Sequence, residues 1–247
     1  MDIQLLNGDC LELMKDIPDG TIDMILCDLP YGTTDCKWDN IIPFDELWGQ
    51  YNRIIKDRGV IALTASQPFT TKLINSNINM FRYCWYWIKN APTGFAFAKK
   101  QPMRDVEEVA IFYKNAPRYN PQGLIKLDTP IIKNRKKGNQ GEVYKPEGLT
   151  TKEYKTTHKN YPKNTLYFKP QREGLHPTQK PVQLMEYLIK TYTNEGETVL
   201  DNCMGSGSTG VAAVNTNRNF IGIELDEKYF NIAKERIEKE KNKLYDL

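Results

Sequence analysis

Histidine and closely spaced cysteine are scarce in this chain of 247 residues. The two histidines, His158 and His176, are too few for most metal centres and make a Ser-His-Asp hydrolase improbable. The five cysteines are odd in number, lie far apart and form no Cys-x-x-Cys pair. This distribution predicts reduced thiols, as in a cytosolic protein, and argues against a structural zinc site. We therefore expect no bound metal.

Long apolar runs are missing as well. No run approaches the ~20 apolar residues that a membrane-spanning helix needs. The first ten residues, MDIQLLNGDC, do not place a basic segment before an apolar one, so they are unlike a secretory signal. The expectation is a cytoplasmic protein without a membrane partner.

The composition is that of a soluble globular protein, with 40% hydrophobic and 26% charged residues. The length suits a single domain that carries an insertion. Residues 1–113 and 173–247 alternate short apolar runs with amphipathic stretches, which predicts two halves of one α/β domain with a parallel sheet. Residues 114–172 show no clear periodicity and are predicted to be an insertion with little core of its own.

Positive charge is concentrated in this insertion. Residues 114–172 hold 14 Lys and Arg against four acids, whereas the rest of the chain holds 20 basic and 27 acidic residues. The segment IIKNRKKGNQ contributes four basic side chains, which are Lys133, Arg135, Lys136 and Lys137. Basic residues mixed with aromatics, Asn and Gln suit contacts to phosphates and bases, so these four are candidate DNA-binding residues. A solvated loop is the alternative.

The clearest local motif is TVLDNCMGSGSTGVAAV, in which a strand-like run ends at Asp201 and glycines lead into a helix. Gly205, Gly207 and Gly210 follow the pattern Gly-x-Gly-x-x-Gly, and Glu224 ends the next strand-like run. Glycines let the backbone approach a ligand, and an acid in this position accepts hydrogen bonds from ribose hydroxyls. Asp201, Gly205, Gly207 and Glu224 are therefore predicted to bind an adenosine-containing cofactor, unless the segment is merely a structural strand, turn and helix.

The glycine loop does not by itself name the cofactor. A dinucleotide would make the chain an oxidoreductase, but that fold needs further strands for the second nucleotide half. Barely 40 residues follow the loop, so those strands could come only from the N-terminal region. S-adenosylmethionine requires less, because it has one adenosine and an amino-acid end.

Two motifs together resemble the N6-adenine and N4-cytosine DNA methyltransferases. DLPYG at 28–32 is similar to their catalytic motif, written [DNS]-P-P-[YFW], and DNCMGSGSTG at 201–210 is similar to their cofactor loop. The catalytic motif comes first, then a variable target-recognition region, then the cofactor loop, which is the β arrangement of the family. Further similar blocks are NGDC, YWIKNAPTGFAFAKKQP, EEVAIFYKN, YNPQG and HPTQKPVQLMEYLI.

The resemblance implies a Rossmann-like fold with a seven-stranded, mostly parallel sheet that contains one antiparallel strand. It implies S-adenosylmethionine as cofactor and DNA as partner, with residues 114–172 as the target-recognition insertion. A homodimer and a cognate restriction endonuclease are two further partners that it suggests. A DNA-binding relative without activity is an alternative, although the residues of the catalytic motif are present.

The resemblance assigns catalysis to residues 28–31, Asp28, Leu29, Pro30 and Tyr31. Asp28 and the Leu29 carbonyl would accept N–H bonds from the target amino group, and Tyr31 would stack on a flipped base. Leucine replaces the usual first proline, but it offers the same carbonyl. An aspartate at the first position favours adenine N6, since serine is commoner there in the cytosine-N4 enzymes; cytosine N4 is the near alternative.

Three further residues are assigned to the cofactor. Asp9 is expected on its adenine side, with a turn aspartate as the alternative. The block HPTQKP is expected beside the methionine end, which makes Thr178 and Lys180 candidates. Lys180 would pair with the cofactor carboxylate.

Overall fold

The computed structural model describes residues 1–32, 39–134, 153–170 and 179–245. The chain forms two compact units, of which the first comprises Met1–Asn120 and Asn164–Leu247 and the second Pro121–Lys163. None of the helices in the described ranges has the length and apolar character needed to cross a membrane.

The first unit has the alternating strands and helices that the sequence predicts. Its strands are β1 (Ile3–Asn7), β2 (Ile22–Cys27), β3 (Ile55–Ala65), β4 (Phe81–Thr93), β5 (Arg104–Phe112), β8 (Thr165–Tyr167), β9 (Thr198–Asp201) and β10 (Asn219–Glu224). Its helices are α1 (Cys10–Leu13), α2 (Phe44–Ile54), α3 (Phe69–Ser76), α4 (Val182–Tyr192), α5 (Ser208–Asn215) and α6 (Glu227–Tyr245).

The eight strands form one sheet in the order β1-β10-β9-β2-β3-β5-β4-β8. Among the eight strands of this sheet β5 alone runs against the others, so the single antiparallel strand is confirmed. The expected count of seven is exceeded because Thr165–Tyr167 pairs with β4 at the edge. Three residues are too short to show a period, so the sequence could not reveal this strand.

The central strands are buried on both faces, because helices cover the sheet from two sides. Successive side chains of a strand point to opposite faces. Met24 and Leu26 accordingly pack in one apolar cluster with residues of α4 and α5. Ile25 and Cys27 pack in a second cluster with residues of α2 and α3. The near-continuous apolar run of β2 is therefore the expected signature of a central parallel strand.

Strand register brings four polar residues to one edge of this sheet. Asn7 of β1 lies opposite Glu224, and Gly222 lies opposite Asp201. Asp28 directly follows β2, which pairs with β9 on one side and β3 on the other. The carboxyl ends of parallel strands are where ligands bind in open α/β sheets, so the acids predicted from sequence lie where a site is expected.

The second unit contains an antiparallel pair, β6 (Ile125–Asn134) and β7 (Glu153–Lys159). The second unit, Pro121–Lys163, is shorter at both ends than the predicted insertion of residues 114–172. Asn120 donates its backbone N–H to the Thr191 carbonyl at 2.7 Å, and Leu166 packs in the first apolar cluster. The flanks of the predicted insertion therefore belong to the first unit.

Candidate active site

A cavity of about 700 Å³ opens within the first unit at the carboxyl edge of the sheet. It is lined by most of the predicted site residues: 28–31, Asp9, Lys180, Asp201, Gly205 and Glu224. Gly207 does not line it. Lys133 lies on β6 in the second unit, and Thr178, Arg135, Lys136 and Lys137 fall outside the described residues.

Asp28 is held by donors on both of its carboxylate oxygens. Tyr31 donates its hydroxyl to Oδ1 at 2.7 Å, and the Thr64 hydroxyl donates to the same oxygen. Lys180 donates from Nζ to Oδ2 at 2.6 Å. A carboxylate offers about four acceptor positions, so these three donors fix its orientation and leave room for one more.

Lys180 is a buried cation between two carboxylates. Its side chain is 8% exposed, and its Nζ lies 3.5 Å from Oε2 of Glu107 as well as beside Asp28. Burial lowers the pKa of the ammonium, but the charges of Asp28 and Glu107 outweigh burial and raise it above its usual value. The expected partner of Lys180 was the cofactor carboxylate; in this structure its partners are carboxylates of the protein.

Glu107, Lys89 and Thr64 are site residues that the sequence did not single out. Glu107 and Lys89 both line the cavity, and the Lys89 ammonium lies 2.9 Å from Oε1 of Glu107. A weak signal existed for Glu107. It is adjacent to Glu108 on a strand, and strand alternation must send one of two neighbouring acids to each face.

Tyr31 was expected to stack on a target base, and in this structure its ring and its hydroxyl both have partners within the protein. Its ring stacks on Phe69 with centroids 4.9 Å apart, and Nζ of Lys180 lies 5.6 Å from the ring centre. Burial, and then the charge of Asp28, raise the pKa of the hydroxyl, which therefore stays protonated and donates to Asp28. One face of the ring is thus held by Phe69, and stacking of a base on Tyr31 stays a prediction.

Leu29 is buried in the second apolar cluster with only 4% of its surface exposed. Its side chain is therefore used for packing. That agrees with a role limited to the backbone carbonyl, which any residue at this position provides.

Glu224 holds the glycine loop in place. Its Oε2 accepts the backbone N–H of Gly205 at 2.8 Å, and its Oε1 accepts that of Asp226 at 2.9 Å. Gly205 has a φ of +53°, in the left-handed region that favours glycine. Burial raises the pKa of the Glu224 carboxyl. Each carboxylate oxygen has a second lone pair, so Glu224 can still accept a ribose hydroxyl.

Gly207 lies against helix α6 and does not face the cavity as the sequence predicted. The absence of a side chain was expected to leave space for the cofactor, but a Cβ at Gly207 would instead lie 2.9 Å from Cβ of Ala233 on α6. Its N–H donates to the Met204 carbonyl at 2.8 Å. With a φ of +82°, this glycine lets α5 begin and pack closely against α6.

The start of α5 offers unused polar groups to the cavity. Ser208 is 7% exposed, lines the cavity, and its Oγ has no hydrogen-bond partner among the described residues. The first N–H groups of a helix also lack partners within it and attract anions. A buried donor without a partner is unfavourable, so this end of the cavity fits the carboxylate of an amino-acid ligand.

Asp9 has a structural role beside its predicted one. Its Oδ1 accepts the N–H groups of Leu11 at 2.8 Å and Glu12 at 3.3 Å, so it caps α1. The residue also lines the cavity. Contact with the cofactor adenine therefore stays a prediction.

Asp201 is expected to make stability depend on pH. It is 3% exposed, and burial raises the pKa of its carboxyl from 3.8 to about 7. Between these values the folded chain keeps a proton that the unfolded chain has lost. The free energy of unfolding should therefore fall as pH rises through this window, by up to about 1.4 kcal/mol per pH unit.

Urea unfolding on both sides of this window, with wild type and Asp201→Asn, measures the effect. The amide can accept the Cys203 N–H that now reaches Oδ1 at 3.1 Å, while the ionisation disappears. Asp45→Asn, which changes an exposed acid on α2, is the control and should keep the wild-type slope. An equal slope in the Asp201 variant would contradict the assignment.

Known proteins similar in sequence to this chain are DNA methyltransferases. A family model described as DNA methylase matches residues 22–235. The type II methyltransferase M.HpaI of Haemophilus parainfluenzae is 25% identical, over 98% of this chain and 76% of that protein. The DNA adenine methyltransferase YhdJ of Escherichia coli strain K12 is 26% identical, over 95% of this chain and 82% of that protein.

Solved structures show the same fold. The complex of M1.HpyAVI with SAM has a TM-score of 0.65 and 25% sequence identity, covering 95% of this chain and 98% of that chain. The cytosine-N4-specific PvuII DNA methyltransferase has a TM-score of 0.68 and 16% identity, covering 100% and 93% of the two chains.

Fold and site together define a Rossmann-like, S-adenosylmethionine-dependent methyltransferase, which confirms the predicted fold class and cofactor. The chain belongs to the N6/N4 DNA methylase family, as the two motifs predicted, and is a DNA methyltransferase.

Proposed function

We propose that this chain methylates N6 of adenine in DNA, with N4 of cytosine as the second candidate. The observation that carries the proposal is the carboxylate of Asp28, fixed at the wall of the cavity by Tyr31, Thr64 and Lys180. Aspartate at this motif position favours adenine. The similarity to YhdJ, whose name states adenine, supports the same choice; the PvuII enzyme shares the fold at 16% identity and does not bear on the base.

The chemistry follows from the electronic structure of the target amino group. Its lone pair is conjugated with the ring, so the nitrogen is a weak nucleophile. When Asp28 and the Leu29 carbonyl accept its two N–H bonds, the nitrogen becomes more tetrahedral and the lone pair is available for attack. Asp28 also stabilises the positive charge that grows on the nitrogen, which is commonly the largest catalytic contribution.

Atoms and charge balance without a metal or a covalent enzyme intermediate. The nitrogen lone pair forms the new N–C bond while the C–S bond breaks, and its electron pair stays on sulfur. One proton then leaves the nitrogen through Asp28. The target base lies inside a duplex and must rotate out of the stack, where Tyr31 offers it an aromatic surface.

The cofactor supplies an electrophilic methyl group on a sulfonium. The proposed contacts divide along the cavity: Glu224 accepts ribose hydroxyls, Asp9 lies on the adenine side, and the start of α5 with Ser208 receives the carboxylate. Asp201 lines the cavity beside the loop, and its contact with the cofactor stays part of the proposal. Thr178 stays a prediction for the methionine end.

The product distinguishes the two candidate reactions. The protein is incubated with labelled S-adenosylmethionine and unmethylated genomic DNA, and the digested nucleosides are separated by mass spectrometry. We expect N6-methyladenine. N4-methylcytosine would establish the second candidate, and the absence of both methylated bases would contradict the proposal. Sequencing of the modified DNA then gives the recognition site.

The second unit is proposed to contribute DNA affinity. Lys133 is exposed on β6, and other exposed lysines, Lys126, Lys155 and Lys159, lie on the same pair of strands. Exposed basic side chains on a strand pair suit phosphate contacts. A cognate restriction endonuclease is a further proposal, suggested by the type II names of relatives. A homodimer, which the resemblance to the family suggests, also stays a proposal.

Neutralising Lys133, Arg135, Lys136 and Lys137 together is expected to weaken DNA binding. Every phosphate that is no longer neutralised should lower the slope of log affinity against log salt by about one unit. Fluorescence anisotropy across a salt series measures that slope. Neutralising four lysines on α6, Lys228, Lys234, Lys239 and Lys243, is the matched control. An unchanged slope in the first variant would show that these four side chains are solvated and do not contact phosphates.

A further inference from the structure

Four alternating charges form a chain that begins at the reaction centre. Asp28 Oδ2 lies 2.6 Å from Nζ of Lys180, which lies 3.5 Å from Oε2 of Glu107. Oε1 of Glu107 lies 2.9 Å from Nζ of Lys89. The four side chains come from the residue after β2, the segment before α4, and the strands β5 and β4, so residues far apart in sequence meet at one wall of the cavity.

Burial makes each member depend on its neighbours. The side chains of Lys180 and Lys89 are each 8% exposed, and that of Glu107 is 19% exposed. An ammonium removed from water needs compensating charge to remain protonated. Oε2 of Glu107 is buried, has no hydrogen-bond partner among the described residues, and faces Lys180. Its effect on Lys180 is therefore electrostatic, through a contact longer than a hydrogen bond.

We propose that Glu107 is a positioning residue for methyl transfer, which acts by keeping Lys180 charged and directed at Oδ2 of Asp28. Lys89 neutralises the outer oxygen of Glu107 and keeps that carboxylate on the cavity side. Lys180 then anchors one oxygen of Asp28 while Tyr31 and Thr64 anchor the other, so the carboxylate meets the amino group in one orientation. The inference rests on the proposed role of Asp28.

Glu107→Gln tests the proposal, and Glu108→Gln is its matched control. Glu108 is the next residue of β5, and its carboxylate accepts a hydrogen bond from the Thr70 hydroxyl at 3.1 Å. It does not belong to the row of four charges. We expect Glu107→Gln to lower kcat by about 10-fold, the usual scale of coupling between contacting groups. KM for S-adenosylmethionine and for DNA should change by less than about 3-fold. Glu108→Gln should leave kcat and both KM values unchanged.

The pH profile of kcat separates positioning from a structural role. Among the described residues, the groups that face Lys180 are Asp28 and Tyr31 from the catalytic motif and Glu107 from β5, with Lys89 behind Glu107. As pH rises, loss of the Lys180 proton releases Asp28 and kcat falls. Glu107 is one of two charges that raise the pKa of Lys180. Its neutralisation should therefore move the alkaline limb to lower pH, whereas Glu108→Gln should not move it.

The outcomes are distinguishable. An unshifted alkaline limb and an unchanged kcat in Glu107→Gln, beside an inactive Asp28→Ala protein, would overturn the positioning role and leave the proposed function intact. Normal activity of Asp28→Ala would overturn the proposed function itself. Glu107→Asp separates loss of charge from misfolding, because this variant changes the side chain but retains its negative charge. We expect an intermediate kcat and an alkaline limb at the wild-type pH. A limb shifted as far as in Glu107→Gln would contradict the proposal.

Discussion

Asp28→Ala is expected to reduce single-turnover methylation by ~100-fold or more, the usual scale for removal of one group that stabilises a transition state. The wild-type carboxylate is held by Tyr31, Thr64 and Lys180, so in the proposed reaction it would meet the amino group without reorganising. Its contribution arises only as charge develops on the nitrogen. Cofactor affinity should therefore change much less than the rate.

The measurement combines rapid-quench single-turnover assays with calorimetric titration of S-adenosylmethionine and a DNA-binding assay. Asp28→Asn keeps the shape of the side chain but not its charge, and it should be nearly as slow as the alanine variant. Asp45→Asn, an exposed acid on α2, is the control and should react at the wild-type rate. A near-normal rate for Asp28→Ala would mean that this aspartate only ends a strand.

Gly207→Ala is expected to lower the free energy of unfolding by roughly 2–5 kcal/mol. Overpacking contributes about 1–3 kcal/mol and the left-handed backbone about 1–2 kcal/mol. The added methyl would lie 2.9 Å from Cβ and 3.0 Å from Cα of Ala233, and the backbone of α6 cannot rotate away as a long side chain could. For the same reason Gly207→Asp should unfold the chain rather than selectively block the cofactor.

Gly196→Ala provides a matched control for this experiment. Gly196 has a φ of +78°, close to the +82° of Gly207, but an added Cβ would meet nothing within 4 Å. Its cost should be the backbone contribution alone, about 1–2 kcal/mol. Urea unfolding of both variants isolates the packing contribution as their difference. Two results would contradict the packing role of Gly207. One is an equal loss of unfolding free energy at the two positions; the other is a selective loss of cofactor affinity in a fully stable Gly207→Ala protein.

Local patterns were sufficient to predict the fold class and much of the candidate site. Apolar runs that alternate with amphipathic stretches specify a parallel α/β sheet, and a polar residue that ends such a run must lie at the edge of the sheet. Asp201 and Glu224 could be selected from such patterns, whereas Asp28 was selected through the resemblance of its motif to the family; all three line the cavity. The order of the two motifs then indicated the family, because each motif depends on only a few adjacent residues.

Other features depend on contacts between distant segments, and no local pattern contains them. The short edge strand β8 forms because β4 is available for pairing, and its three residues carry no period of their own. Gly207 could be recognised as a special backbone position, but the direction of its missing side chain depends on where α6 packs.

By itself, the sequence determined the α/β class, the cofactor loop and, through the resemblance of its motif, the choice of Asp28 as the candidate catalytic residue. The first two follow from the chemistry and periodicity of neighbouring residues. Only the tertiary structure decided which groups surround Asp28. Lys180 is 152 residues away along the chain, and Glu107 reaches the same wall through the register of an antiparallel strand. Strand order and register bring these charges together, and the burial they share is what makes each one depend on the others.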